Sequence, residues 1–173
     1  MQRGEDEAQA CERIVAASGL RWTVVRASWF AQNFSEGEFL HMVMNNAITL
    51  PARDIPEPWV DINDIADVAV AALTESGHDG EVYEVTGPEA LTMAEIATLI
   101  SEASHRPITY VDVPHEDFVT GLKAAGLPGD LIWLLGYLFD TVTDLPALGM
   151  RLAEVAGPSS FDITAVRRGV LDV

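Results

Sequence analysis

A chain of 173 residues with 49 % apolar and 21 % charged residues has the balance of a folded globular protein, not of a disordered segment. Its 10 Lys and Arg against 27 Asp and Glu leave a formal net charge of -17, which repels phosphate backbones and anionic lipid and argues against nucleic-acid binding. One cysteine, Cys11, cannot form an internal disulfide, no apolar run reaches the ~20 residues of a membrane span, and the stretch Met1 to Glu7 is too polar for a signal peptide, so a cytoplasmic setting is expected.

The first element is a helix from Glu5 to Ser18, where Ala8, Cys11, Ile14 and Val15 recur at helical spacing and Gly19 supplies a left-handed cap. A short β-branched strand follows from Trp22 to Ala27, composed like a strand buried in a sheet. Residues Ser35 to Ala47 read as a second helix. Ile48 to Leu50 and Trp59 to Ile62 then bracket a loop that Pro51, Pro56 and Pro58 keep extended. Asp61 or Asn63 caps the next helix, Asp64 to Thr74, and capping explains the neighbouring carboxylates Asp61 and Asp64 better than acid–base chemistry does.

Glu81 to Thr86 alternates polar with apolar residues and reads as a second strand, turned by Gly87 and Pro88. Thr92 and Glu95 have the spacing of a capping box, opening a helix to about Ser104, and Pro107 to Asp112 is a further strand. Beyond Pro114 the pattern is helical, His115 to Ala125 and Pro128 to Thr141, and Leu131, Ile132, Leu134, Leu135, Leu138 and Phe139 give the second of these a broad apolar face. A last short helix is expected between Ser160 and Val170. With no repeat and no convincing linker the chain reads as a single domain, a sheet part over about 1–105 and a smaller helical lobe over about 106–173.

Ligands of open α/β sheets bind beyond the carboxyl ends of the strands, which directs attention to Ser28, Trp29, Phe30, Gln32 and Asn33. An aromatic wall with one or two amides suits a flat ring, since stacking supplies area and an amide fixes orientation. The alternative is that Trp29 and Phe30 belong to the core and Asn33 satisfies backbone, and the sequence leaves both open. His41, just past this loop, is the one histidine kept as a weak proton-donor candidate. His41, His78, His105 and His115 are scattered without partners at ligand spacing, so no metal site is expected.

These residues carry a resemblance. Glu12 with Ser18-Gly-Leu20, Trp22-Thr-Val-Val-Arg26, Trp29-Phe-Ala-Gln-Asn33, Val60-Asp-Ile-Asn-Asp-Ile-Ala66, Tyr83-Glu-Val-Thr-Gly-Pro88 and Leu91-Thr-Met-Ala-Glu-Ile96 occur in an order similar to the carboxyl-terminal part of the NmrA-like family of atypical short-chain dehydrogenases/reductases. The resemblance implies an α/β fold, part of a doubly wound Rossmann-like, mainly parallel sheet with a helical carboxyl-terminal substrate lobe. It implies NAD or NADP as cofactor, with Trp29, Phe30 and Asn33 on the cofactor side and Ser28 and Gln32 towards a small-molecule substrate. The family's usual proline after the strand arginine is Ala27 here.

The chain opens on what resembles the helix before the family's sixth strand, so roughly a hundred residues of βαβ units are expected to be absent. None of the glycines forms the strand–Gly–helix junction that holds a pyrophosphate, and tight dinucleotide binding by this chain alone is not expected. A Tyr-x-x-x-Lys dyad is also lacking, because Lys123 is the only lysine and does not follow Tyr83, Tyr110 or Tyr137 at that spacing. Two functions fit: the substrate-side portion of a quinone- or carbonyl-reductase-like oxidoreductase, inactive without its dinucleotide-binding half, or a redox-sensing or regulatory binding module without catalysis. In either, the unpaired edge of strand 22–27 is expected to recruit a second copy or a complementing chain.

Overall fold

The computed structural model describes residues 3–144, and the helix expected between Ser160 and Val170 lies outside them. Helix α1 (Arg3–Ala16) leads through Gly19, at φ +75°, into strand β1 (Thr23–Ala27). A single 3-10 turn, Ala31–Phe34, and the short helix α2 (Leu40–Met44) precede strand β2 (Ala47–Leu50). Helix α3 (Ile62–Thr74), strand β3 (Glu81–Val85), helix α4 (Met93–Ser104), strand β4 (Thr109–Asp112) and helices α5 (His115–Ala124) and α6 (Gly129–Asp144) complete the order.

The helix expected over residues 35–47 is cut to five residues. Backbone bonds from Glu36 and Gly37 N–H to Gln32 O, at 2.9 and 3.1 Å, and from Phe39 N–H to Asn33 O at 2.9 Å hold residues 35–38 in a turn, tight enough that a Cβ on Gly37 would sit 2.8 Å from the Asn33 Cα, and Ala47 is drawn into a strand. Both local capping expectations are met. Asp61 accepts from the Asn63 backbone N–H at 2.7 Å, and Thr92 with Glu95 closes the reciprocal box that satisfies free N–H groups at the start of α4.

The strands form two parallel pairs instead of one short sheet: β1 with β3, in register Thr23 to Glu81 through Ala27 to Val85, and β2 with β4, Ala47 to Thr109 through Leu50 to Asp112. The pairs are interleaved along the chain and differ in cover. Around β2 and β4 lies the core, where Val43, Ile48, Leu50, Ile96, Ile100, Ile108, Phe118, Leu122, Leu135 and Phe139 are all buried. The Tyr110 hydroxyl, which lies 2.9 Å from Asp112 Oδ1 and accepts the Ala52 N–H at 3.3 Å, fastens this pair to the loop after β2.

Around β1 and β3 little is covered. Helix α3 has no buried residue, and Leu73 is 85 % exposed and Val70 56 %. On α1 the apolar row found in the sequence ends in Ile14 and Val15, 71 % and 43 % exposed. What holds α1 to β1 is a forked pair, Arg26 Nε and Nη2 to the Glu12 carboxylate at 2.9 and 2.7 Å, with Nη1 reaching Glu84 at 3.1 Å. That pairing, hydrogen bonds before charge, holds Glu12 below its usual carboxylate range. Among the described residues no helix is long and apolar enough to cross a membrane.

Candidate functional site

Three segments meet beyond the carboxyl ends of β1 and β3. Ser28 N–H donates to Val85 O at 3.0 Å, Val60 N–H to Trp29 O at 2.9 Å, Ala31 N–H to Val60 O at 2.9 Å and Gly87 N–H to Pro58 O at 3.1 Å. Glu57 and Leu91 exchange both backbone bonds, at 3.1 and 2.9 Å. Gly87 is required here for space, since a Cβ on it would lie 1.9 Å from Trp59 O. The proline-rich loop is thus the seam that joins the two strand pairs.

The sequence candidates occupy different environments in this seam. Trp29 is half-buried and its ring joins an aromatic cluster, 5.6 Å from Trp59, 5.4 Å from Phe139 and 6.2 Å from Phe39 between centroids. Phe30, the next residue, is 42 % exposed. Gln32 is buried, and its Oε1 accepts the Ile62 N–H at 3.1 Å, so its amide helps cap α3. Ser28 and Asn33 are half-buried, and neither side chain has a hydrogen-bond partner among the described residues. His41 stands exposed on α2 with Nδ1 2.9 Å from Glu38 O, beside a separate surface hollow shared with Glu36, Leu40 and Met44. No cluster of His, Cys, Asp or Glu among the described residues is arranged to hold a metal.

Two residues that the sequence reading passed over stand out. Glu57 and Trp59 line a narrow hollow with Trp29, Ala52, Ile55, Leu91, Met93 and Phe139, and among the described residues Glu57 is the only ionisable one in that wall. Burial alone pushes the Glu57 carboxyl up to about 7. Trp59 is buried, and its Nε1 has no acceptor among the described residues. The available signal was Pro56-Glu-Pro-Trp59, a carboxylate held between two rigid residues beside a large aromatic one.

Parallel strands followed by helices, with loops converging at the strands' carboxyl ends, define an α/β protein of Rossmann type. The match to the NmrA-like family extends over residues 6–143, and the chain belongs to that family. An NAD(P)H azoreductase of Xenophilus azovorans is 35 % identical over 144 residues, 79 % of this chain and 46 % of that protein. Quinone oxidoreductase 2 of Escherichia coli strain K12 is 29 % identical over 138 residues, 75 % of this chain and 45 % of that one. The chain therefore spans about half the length of the curated relatives it matches. Among solved structures, the NADPH complex of an NADPH-dependent quinone oxidoreductase from Escherichia coli superposes with a TM-score of 0.78 at 24 % identity, over 96 % of this chain and 59 % of that one. A Citrobacter sp. triphenylmethane reductase complexed with NADP(H) gives 0.73 at 21 %, over 95 % and 57 %. These two likenesses establish the fold.

Proposed function

We propose that this chain forms the substrate-side portion of an NAD(P)-dependent oxidoreductase acting on quinone-like or related flat acceptors. The observation that carries the reading is the convergence of Ser28, Phe30 and Asn33 beyond the carboxyl ends of β1 and β3, with Phe30 exposed and the Ser28 and Asn33 side chains free of partners among the described residues. The azoreductase and quinone oxidoreductase relatives agree with it in the chemistry their names state. In this reading Phe30 and Asn33 meet the nicotinamide ring, Trp29 backs it, and Ser28 with Gln32 borders the substrate. Hydride transfer then rests on positioning, with the nicotinamide supplying the chemistry.

A dinucleotide-binding portion completes the site by adding to the free edge of β1. Two features support that docking: β1 pairs only with β3 among the described residues, and a groove of about 420 Å³ between β1 and α3 is lined by Trp22, Val25, Ala69, Ala72 and Leu73.

The test is a titration of NADPH fluorescence. The chain alone is expected to bind more weakly than micromolar, and a dinucleotide-binding portion supplied as a second polypeptide should tighten binding and confer NADPH oxidation with a quinone. Asn33→Ala and Phe30→Ala should each weaken the complemented complex about tenfold. Micromolar binding by the chain alone would overturn the need for a complement, and no NADPH binding in either case would overturn the oxidoreductase reading.

A further inference from the structure

The loop after β1 carries two amides, and the fold treats them differently. Gln32 Oε1 accepts the Ile62 N–H at 3.1 Å, whereas the half-buried Asn33 side chain has no hydrogen-bond partner among the described residues. An amide that no hydrogen bond directs keeps one rotamer only where packing holds it. The packing at Asn33 comes from the turn that follows. Ser35, Glu36 and Gly37 N–H donate to Gln32 O at 3.1, 2.9 and 3.1 Å, and Phe39 N–H donates to Asn33 O at 2.9 Å, so residues 35–39 fold back against Asn33.

Gly37 lies against Asn33 within this turn. A Cβ added to it would sit 2.8 Å from Asn33 Cα, 2.9 Å from Asn33 Oδ1 and 3.4 Å from Asn33 O, and the first two are closer than the 3.0 Å that real Cβ atoms keep. Backbone conformation does not call for glycine here: Gly19, Gly77, Gly80 and Gly126 have positive φ and Gly37 does not. What calls for it is space, because the volume that any other residue would fill with a Cβ is bounded by the Asn33 amide oxygen and Cα.

We propose that Gly37 is a positioning residue of the candidate site: having no Cβ, it leaves the seat in which the Asn33 amide rests and so sets the orientation in which that amide meets the nicotinamide ring. The proposal deepens the oxidoreductase reading and rests on it for the ligand, while the seat is a property of this chain alone. The Asn33 backbone is tied at both ends, its N–H to Phe30 O at 3.1 Å and its carbonyl to Phe39 N–H at 2.9 Å. Its amide is tied by nothing but contact. A side chain at position 37 therefore opens the backbone contact slightly and turns the amide out of its seat.

Two measurements test the seat. In proton–nitrogen correlation spectra of the chain alone, the Asn33 side-chain pair is identified by its loss in Asn33→Ala, and Gly37→Ala should shift it further than Glu38→Ala does. Gly37→Ala should remain folded, its melting temperature lowered by less than about 10 °C. In the complemented complex, Gly37→Ala should weaken NADPH binding about tenfold, as Asn33→Ala does, and the double variant should bind within about twofold of Asn33→Ala alone, because a displaced amide and an absent one are equivalent. An unmoved Asn33 pair, full NADPH affinity in Gly37→Ala beside a weakened Asn33→Ala, or a chain that no longer folds would each overturn the positioning role. So would a double variant much weaker than Asn33→Ala, since Gly37 would then act through the loop and not through the amide. Full affinity in Asn33→Ala would instead sink the nicotinamide contact of the oxidoreductase reading, and the role of Gly37 with it.

Discussion

Both strand pairs of this molecule are short and parallel, yet they live in different surroundings. β2 and β4 are enclosed by α2, α4, α5 and α6, and Ile48 and Leu50 are fully buried. β1 and β3 have α3 beside them and leave Val82 42 % exposed. The difference teaches where stability comes from. At about 25 cal/mol per Å² of apolar surface removed from water, the β2/β4 region supplies most of the folding free energy, and the β1/β3 region is held by backbone bonds, the Arg26 pairs and the seam at Gly87. The better-covered region fixes one wall of the candidate site, and the barer region supplies the other.

Substitutions that attack each side should separate the two. Phe139→Ala removes the aromatic ring shared by Trp29, Phe39 and Phe118 and should cost about 3–5 kcal/mol in urea denaturation, the largest effect expected. Gly87→Ala drives a Cβ into the Trp59 carbonyl and should cost about 1–3 kcal/mol, with near-ultraviolet circular dichroism showing loss of the tryptophan environment.

Glu57→Gln should act with the opposite sign and only above the ordinary carboxylate range. The folded-state pKa of Glu57 is raised, so the folded protein binds the extra proton, and stability declines as pH rises from the unfolded value to about 7. The variant should match the wild type near pH 4 and exceed it at about pH 8 by about 1–2 kcal/mol, after allowance for partial solvent screening, as read from thermal melts at the two values. Leu73→Ser, on the bare face of α3, should change stability by less than about 0.5 kcal/mol, and a cost above about 2 kcal/mol would mean that this face is covered in solution.

Local order was legible in the sequence because local chemistry specifies it. Asp61, Thr92 with Glu95, and Gly19 mark where helices begin and end, and the backbone follows them. Helix α2 was overread because the close approach of Gly37 to Asn33 is made by a turn that periodicity does not report. The loop after β1 was found from its position at a strand's carboxyl end, whereas the use of Gln32 as a cap for α3 depends on two segments 30 residues apart meeting. Glu57 was missed for a related reason: between prolines a carboxylate reads as solvated, and its burial is created by Trp29, Leu91 and Phe139 arriving from three other parts of the chain.

The sequence by itself determined most of the described elements, the caps of α3 and α4, the parallel α/β class and the family resemblance, because hydrophobic period, capping chemistry and ordered motifs are written within short windows. Only the tertiary structure decided that the strands divide into two pairs, that Ile14 of α1 and Val70 and Leu73 of α3 are left exposed, and that Glu57 and Trp59 line one hollow. Pairing, cover and desolvation are properties of residues far apart along the chain, and they come into being when those residues are brought together.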